Sequence, residues 1–367
     1  MKEKLFLLLR YAICEQTELA QDIKQDLPQI YKLAKKHDMA QTVAYACEKL
    51  GISHPVLEKE KALSLFRTEK ISYTAENAGN VLEEARIPHI FLKGYYLRSM
   101  YPEAWLRPSC DVDIYVGEKN AEAAAQALEK AGYVRGRRHI YDIMFTSPNG
   151  STVELHFLLT DGDGHKKTAR VLSDVWKYTV AETEYRYRMN EEMFYFYHIA
   201  HMSKHVRTGG CGIRPFADMW LLCREQKNRE KTDVLVEKGG LADFERIARR
   251  LAFVWFSGEK GDSDTDALEE YILSGAVYGN KHNAAAGQGS KIKYLFTRIF
   301  MPYSQLKYKY PALNGKPYLY GFYIVRRWLN LLKGKRAKHS MDEFRATCTV
   351  STPESTKYSQ LFKNLKL

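Results

Sequence analysis

The sequence predicts an α+β fold in which a mixed-sheet core lies between N-terminal and C-terminal helical regions. Three observations predict it. Apolar residues recur at spacings of three and four from Leu5 to about Glu84 and again beyond Asn190. β-Rich runs bounded by turn residues are confined to the stretch between. Within that stretch, Asp111 and Asp113 alternate with apolar residues. At 367 residues the chain exceeds what one compact core usually holds. The expected divisions are a helical region over 1–85, an α/β core over 86–188, a helical region over 189–340 and a basic tail over 341–367.

In chain order, Leu9, Ala12 and Ile13, then Leu27, Ile30, Tyr31 and Ala34, form the stripes of the first helices. Asp26 stands where a cap would, because Pro28 suits a first turn. The texture changes at Arg86-Ile87-Pro88, after which His89-Ile90-Phe91-Leu92 reads as a short buried strand ending at Lys93-Gly94. Tyr95 to Met100 can form a short helix, and Pro102 to Pro108 a loop. The run from Asp111 to Val116 begins as a half-buried strand with both carboxylates on one face.

Asn120 can cap an alanine-rich helix through Lys130, with a strand starting near Tyr133. Ile140 to Thr146 and Thr152 to Leu158 flank Pro148-Asn149-Gly150, a hairpin signature that puts Glu154 in the second strand. Helices over Glu191 to His205, Phe216 to Gln226 and Leu241 to Phe256 follow, with a linker around Ser257 to Asp266. Tyr318 to Leu332 forms an amphipathic helix.

Composition narrows the class. A hydrophobic fraction of 45% with 27% charged residues is that of a globular protein and excludes disordered or fibrous chains. No apolar run approaches the roughly 20 residues that span a bilayer. The apolar stretch Leu5 to Leu9 is too short for a secretory signal, so a cytoplasmic protein is expected. The six cysteines are scattered without a two-residue spacing, which predicts free thiols. The net charge is +12, but from Lys291 onward there are 16 Lys/Arg against three acidic residues, so the excess is C-terminal. The basic and aromatic residues from Tyr303 to Arg336 could bind RNA, an anionic membrane surface or a nucleotide, or simply form a basic outer face. No RNA-binding signature is present.

Carboxylates at i and i+2 of a strand lie about 7 Å apart at Cα. That spacing suits gripping Mg²⁺ with a nucleoside triphosphate, although a solvated strand face produces it too. Order adds weight: a strand ending at Gly94, a loop, the Asp111/Asp113 strand, then Glu154 between Val153 and Leu155. Together these resemble the nucleotidyltransferase superfamily of the polymerase-β type. More narrowly, Phe91-Leu92-Lys93-Gly94, Tyr101-Pro102, Arg107, Asp111 to Val116, Val153-Glu154-Leu155-His156 and the later His201, His205 and Asp218 resemble the bacterial family of uncharacterised nucleotidyltransferases. The likeness runs from about Arg10 to Leu332. One departure is Tyr95, where the superfamily usually has a second glycine or a serine.

The resemblance implies a Mg²⁺-dependent transferase that moves a nucleoside monophosphate from a triphosphate such as ATP to a hydroxyl acceptor on a small molecule, protein or RNA. It implies Asp111, Asp113 and Glu154 as catalytic metal ligands. Lys93, Gly94 and Arg107 become the nucleotide-binding set, the glycine admitting phosphate to the backbone and the two cations neutralising charge. Two rivals stand beside this reading. One is a non-catalytic nucleic-acid or membrane-surface module on the same fold. The other is a metal-dependent hydrolase built on His201, His205 and Asp218, since His201 and His205 lie one helical turn apart. No Glu follows His201, as the zinc-protease motif needs, so packing between helices explains the pair more simply. Asp218 could position either histidine or pair with Arg214. The Asp161-Gly162-Asp163-Gly164-His165 segment fails the calcium-loop register and reads as a solvated turn.

Overall fold

A computed structural model of the chain describes residues 1–14, 23–160, 166–277, 279–287, 299–303, 306–307, 310–331 and 351–367. The Asp161 to His165 turn lies outside them, as does much of the basic segment. The fold is α+β, with a seven-stranded mixed sheet.

Four helices come first: α1 (Lys2–Ile13), α2 (Leu27–Lys36), α3 (Ala40–Lys49) and α4 (Pro55–Glu84). The first three bury Leu5, Leu9, Ile30 and Val43 in a large core shared with helices from the far end of the chain. Asp26 does stand at the start of α2, but it makes no capping bond, and its carboxylate pairs with Lys4 instead. α4 begins with Pro55 in its first turn and His54 accepting a hydrogen bond from the Val56 N–H. Its later turns turn Ile71, Ala75, Ala78 and Leu82 onto the sheet, where they join Phe91, Val112, Ile114, Val153 and Leu155 in a second core.

The strands are β1 (His89–Phe91), β2 (Asp111–Tyr115), β3 (Val134–Arg138), β4 (Asp142–Thr146), β5 (Thr152–His156), β6 (Thr179–Ala181) and β7 (Arg186–Met189), in the order β3-β4-β5-β2-β1-β7-β6. β4 and β5 form the expected hairpin. β2 and β5 run parallel, which needs a long crossover, supplied here by α6 (Ala121–Lys130) with β3 and β4. Because side chains alternate along a strand, burying Val112, Ile114, Val153 and Leu155 under α4 and α6 forces Asp111, Asp113, Glu154 and His156 to the opposite face. Asn120 precedes α6 but donates to the Val116 carbonyl rather than capping.

That opposite face is covered by the second helical group: α7 (Lys166–Ser173), α8 (Glu191–Arg207), α9 (Arg214–Glu225), α10 (Arg229–Lys238), α11 (Ala242–Ser257), α12 (Ser263–Ser274) and α13 (Lys281–Gly287). The linker expected around Ser257 to Asp266 is shorter than its composition suggests, because Asp262 and Thr265 form a capping box that starts α12. α14 (Tyr320–Leu331) buries Ile324 with Leu306 and Leu313 and exposes Phe322, Val325 and Leu329. A last helix, α15 (Thr352–Leu365), sets the rings of Tyr358 and Phe362 edge-on to Tyr271. No described helix is long and apolar enough to cross a membrane, and the described cysteines are free.

α8 ends in Gly209-Gly210-Cys211-Gly212, where the chain passes against the stretch after α12; the Asn280 N–H donates to the Gly209 carbonyl at 3.1 Å. A Cβ on Gly279, whose φ is +68°, would lie 2.1 Å from the Gly209 carbonyl carbon. Gly279→Ala therefore combines left-handed strain with a backbone clash and should destabilise the fold by about 3 kcal/mol, read as a lowered urea midpoint. An unchanged midpoint would show that the crossing is not fixed as described.

Candidate active site

The floor of the site is the face of β2 and β5 that turns away from α4 and α6. Parallel register sets Asp113 opposite Glu154 and Tyr115 opposite His156, with Asp111 one step earlier opposite Thr152. His156 Nε2 donates to Asp113 Oδ1 at 3.1 Å and lies 3.5 Å from Glu154 Oε2. Donor atoms of Asp113, Glu154 and His156 lie within 4.8 Å of one another, the sole such group among the described residues. Asp111 stands outside this trio but lines the same cleft.

So much acid at low exposure has electrostatic consequences. Burial, and next the Asp113 charge, push Asp111 up to about 6. Burial would raise Asp113 as well, but the Lys93 ammonium and the His156 hydrogen bond outweigh it and hold Asp113 well below the carboxylate range. His156 responds in kind. Burial opposes its charge, yet bonds to Asp113 and Glu154 raise it to about 9. A group of buried carboxylates that holds the Lys93 ammonium and a protonated His156 close has the donor chemistry of a divalent-cation site.

Lys93 and Gly94 open α5 (Lys93–Leu97), directly after β1. Lys93 Nζ is 3.5 Å from Asp113 Oδ2 and donates to His201 Nε2 at 2.8 Å, bridging floor and roof. A Cβ on Gly94 would meet Arg107 Nη1 and Ser109 Oγ at 3.6 Å and Ser109 Cβ at 3.8 Å, ordinary contacts, so packing alone does not demand glycine there. Tyr95 turns the other way, stacking on Phe91 with centroids 4.3 Å apart and donating to Glu76 at 2.6 Å. The bulk that departs from the superfamily pattern is thus outside the cleft.

The roof is α8, whose Tyr197, His201 and His205 recur every four residues and line one face. Burial, then Lys93, hold His201 far below its ordinary pKa, and the same causes lower His205 to about 4. Both rings are therefore neutral, and His201 Nε2, accepting from Lys93, also lies 3.2 Å from His205 Nε2. Lys204, Arg207 and Arg214 line the same cleft of about 290 Å³, near the lower end of the ~300–1,000 Å³ typical of ligand sites.

Arg107 and Asp218 belong to a different interaction. Arg107 Nε and Nη2 donate to Asp218 Oδ1 and Oδ2 at 2.7 and 2.8 Å, and Tyr101 Oη donates to Oδ1 at 2.8 Å. Arg107 is 4% exposed and Asp218 1%. Asp218 therefore pairs with neither Arg214 nor the histidines. Arg214 instead bonds Asp38 and the Pro108 carbonyl at 2.5 and 2.9 Å. His201, His205 and Asp218 do not assemble as a ligand group, which removes the geometric basis for a hydrolase built on them. Tyr197 and His156 carry no assigned role from sequence alone, although the four-residue recurrence on α8 and the Glu154-Leu155-His156 alternation both mark them.

A family model described as uncharacterised nucleotidyltransferase matches residues 24–257. No curated protein and no solved structure matches the chain.

The buried pair makes a stability prediction with a sign. Burial would raise Asp218, but the Arg107 charge and hydrogen bonds hold its folded-state pKa below the ordinary value. Its contribution is complete above the unfolded pKa near 3.9 and is lost as pH falls through the lowered folded value. Asp218→Ala should cost about 3–5 kcal/mol at neutral pH. In thermal melts the gap from wild type should narrow below about pH 4; a gap that widens there contradicts the assignment.

Proposed function

We propose, since the chain belongs to the uncharacterised nucleotidyltransferase family, that it transfers a nucleoside monophosphate from a triphosphate to a hydroxyl acceptor with the help of Mg²⁺ or a similar dication. The observation that carries this reading is the register that faces Asp113 to Glu154, with Asp111 beside them, across a cleft from a cationic wall. The acceptor oxygen attacks the α-phosphorus in line; a new P–O bond forms, the bond to the β-phosphate oxygen breaks, and pyrophosphate leaves. Asp111, Asp113 and Glu154 would hold the dication, which when bound would supply Lewis-acid polarisation of the phosphate and a lowered pKa for the attacking hydroxyl.

The chain's own residues do the remaining work. Lys93, held between Asp113 and His201, presents an ammonium at the junction of carboxylates and cleft, suited to a phosphate oxygen. Gly94 leaves room for phosphate to approach the backbone. Arg107 also lines the cleft beside Gly94 and, through its bonds to Asp218, keeps the loop in place. Lys204, Arg207 and Arg214 balance the charge of the triphosphate tail. Such a reaction draws on the nucleoside triphosphates of the cytoplasm.

Incubation with Mg²⁺, each labelled nucleoside triphosphate and a cell extract tests the reading and identifies the acceptor class. Wild type should transfer label to a small molecule, protein or RNA, and a chelator should stop it until Mg²⁺ is restored. Asp111→Asn/Asp113→Asn should reduce transfer by at least about a hundredfold. Transfer that survives the double substitution overturns the site.

A further inference from the structure

We infer that His156 is itself a metal ligand, completing with Asp113 and Glu154 a two-carboxylate, one-imidazole site that holds Mn²⁺ in preference to Mg²⁺. The inference rests on the reading of Asp113 and Glu154 as cation ligands and goes beyond it in the third donor and the choice of ion.

Geometry is the first ground. Metal–ligand distances of about 2.1 Å place adjacent donors about 3.0 Å apart in an octahedral shell and about 3.4 Å apart in a tetrahedral one. His156 Nε2 already stands 3.1 Å from Asp113 Oδ1 and 3.5 Å from Glu154 Oε2. Two carboxylates from adjacent strands thus converge on a single ring nitrogen, and a cation could replace the proton that this nitrogen now shares with them. A cation accepting lone pairs from all three accounts for both separations.

Fixation is the second. Glu154 and His156 project from one face of β5, locked by pairing with β2 on one side and β4 on the other. The ring is 11% exposed and lies parallel to Tyr141, with an interplanar angle of 2°. Its nitrogen is therefore aimed by the sheet rather than by the flexible end of a long side chain.

Chemistry decides the ion. Mg²⁺ demands oxygen donors and gives up water reluctantly, whereas imidazole favours first-row transition dications over it. Replacing one oxygen of an acidic triad by a ring nitrogen thus shifts preference away from Mg²⁺.

Electron paramagnetic resonance on the full chain without nucleotide tests this directly. Free Mn²⁺ is titrated to obtain affinity, Mg²⁺ is added as competitor, and pulsed spectra are recorded for ¹⁴N coupling. Wild type should bind Mn²⁺ more tightly than Mg²⁺ and show the nitrogen modulation of a directly bound imidazole. His156→Gln, shown folded by its circular dichroism melt, should lose that modulation and weaken Mn²⁺ roughly tenfold or more, while His201→Gln keeps it. Mn²⁺ bound by wild type without ¹⁴N coupling, or Mg²⁺ competing at equal affinity, overturns this inference and leaves the transferase reading standing. No Mn²⁺ binding by wild type likewise overturns this inference, and the label-transfer assay decides the transferase reading separately.

Discussion

The sheet and the helical layer above it are held at one spacing by a guanidinium and a carboxylate that neither can easily leave. Removing Arg107 and Asp218 from water costs several kcal/mol per ion, and only close, two-pronged bonding offsets it. The pair meets that condition with two bonds under 3 Å, and Tyr101 occupies the same carboxylate. A slip of α9 along the sheet would leave both charges buried and unpartnered. The loop that carries Arg107 is pinned from the other side as well, by Gln41 to the Leu106 carbonyl and Ser64 to the Trp105 carbonyl. The clamp thus ties α9 to the loop before β2, beside the place where Lys93 spans the height from Asp113 on the sheet to His201 on α8.

Within that fixed height the cleft is balanced rather than neutral everywhere. Its floor holds Asp111, Asp113 and Glu154, whose repulsion is relieved by His156 and Lys93. Its roof holds neutral histidines because burial, and next the Lys93 ammonium, disfavour a positive charge there. The opposed charges lie across a space of ligand size, an arrangement that a dication paired with a polyanion would satisfy on both sides at once.

What could be read in the sequence was local. Asp-Val-Asp-Ile-Tyr declares its faces by alternation, and Pro148-Asn149-Gly150 declares the hairpin, so the carboxylate face and the position of Glu154 were both legible. Pairings between distant segments were not. The parallel register of β2 and β5, the docking of β7 beside β1, and the Arg107–Asp218 bond across 111 residues have no local signature. Arg107 shows why this matters: from sequence it is a free cation near the acidic strand, and only the fold reveals its partner. Asp26 and Asn120 fail as caps for a similar reason, since Lys4 and the Val116 carbonyl compete for their side chains.

The order of strands leaves β3 and β6 at the two ends of the sheet, where unpaired backbone groups could recruit another chain and start aggregation. Each end is blunted differently. β3 reads Val-Arg-Gly-Arg-Arg, and its pairing with β4 breaks register between Arg135 and Arg138, so an incoming strand would meet dense like charge on a ladder that does not run straight. β6 is three residues long, too short to template an extended partner. The arginines of β3 thus guard the solubility of the chain, and replacing them with apolar residues would cost colloidal stability well before it cost folding.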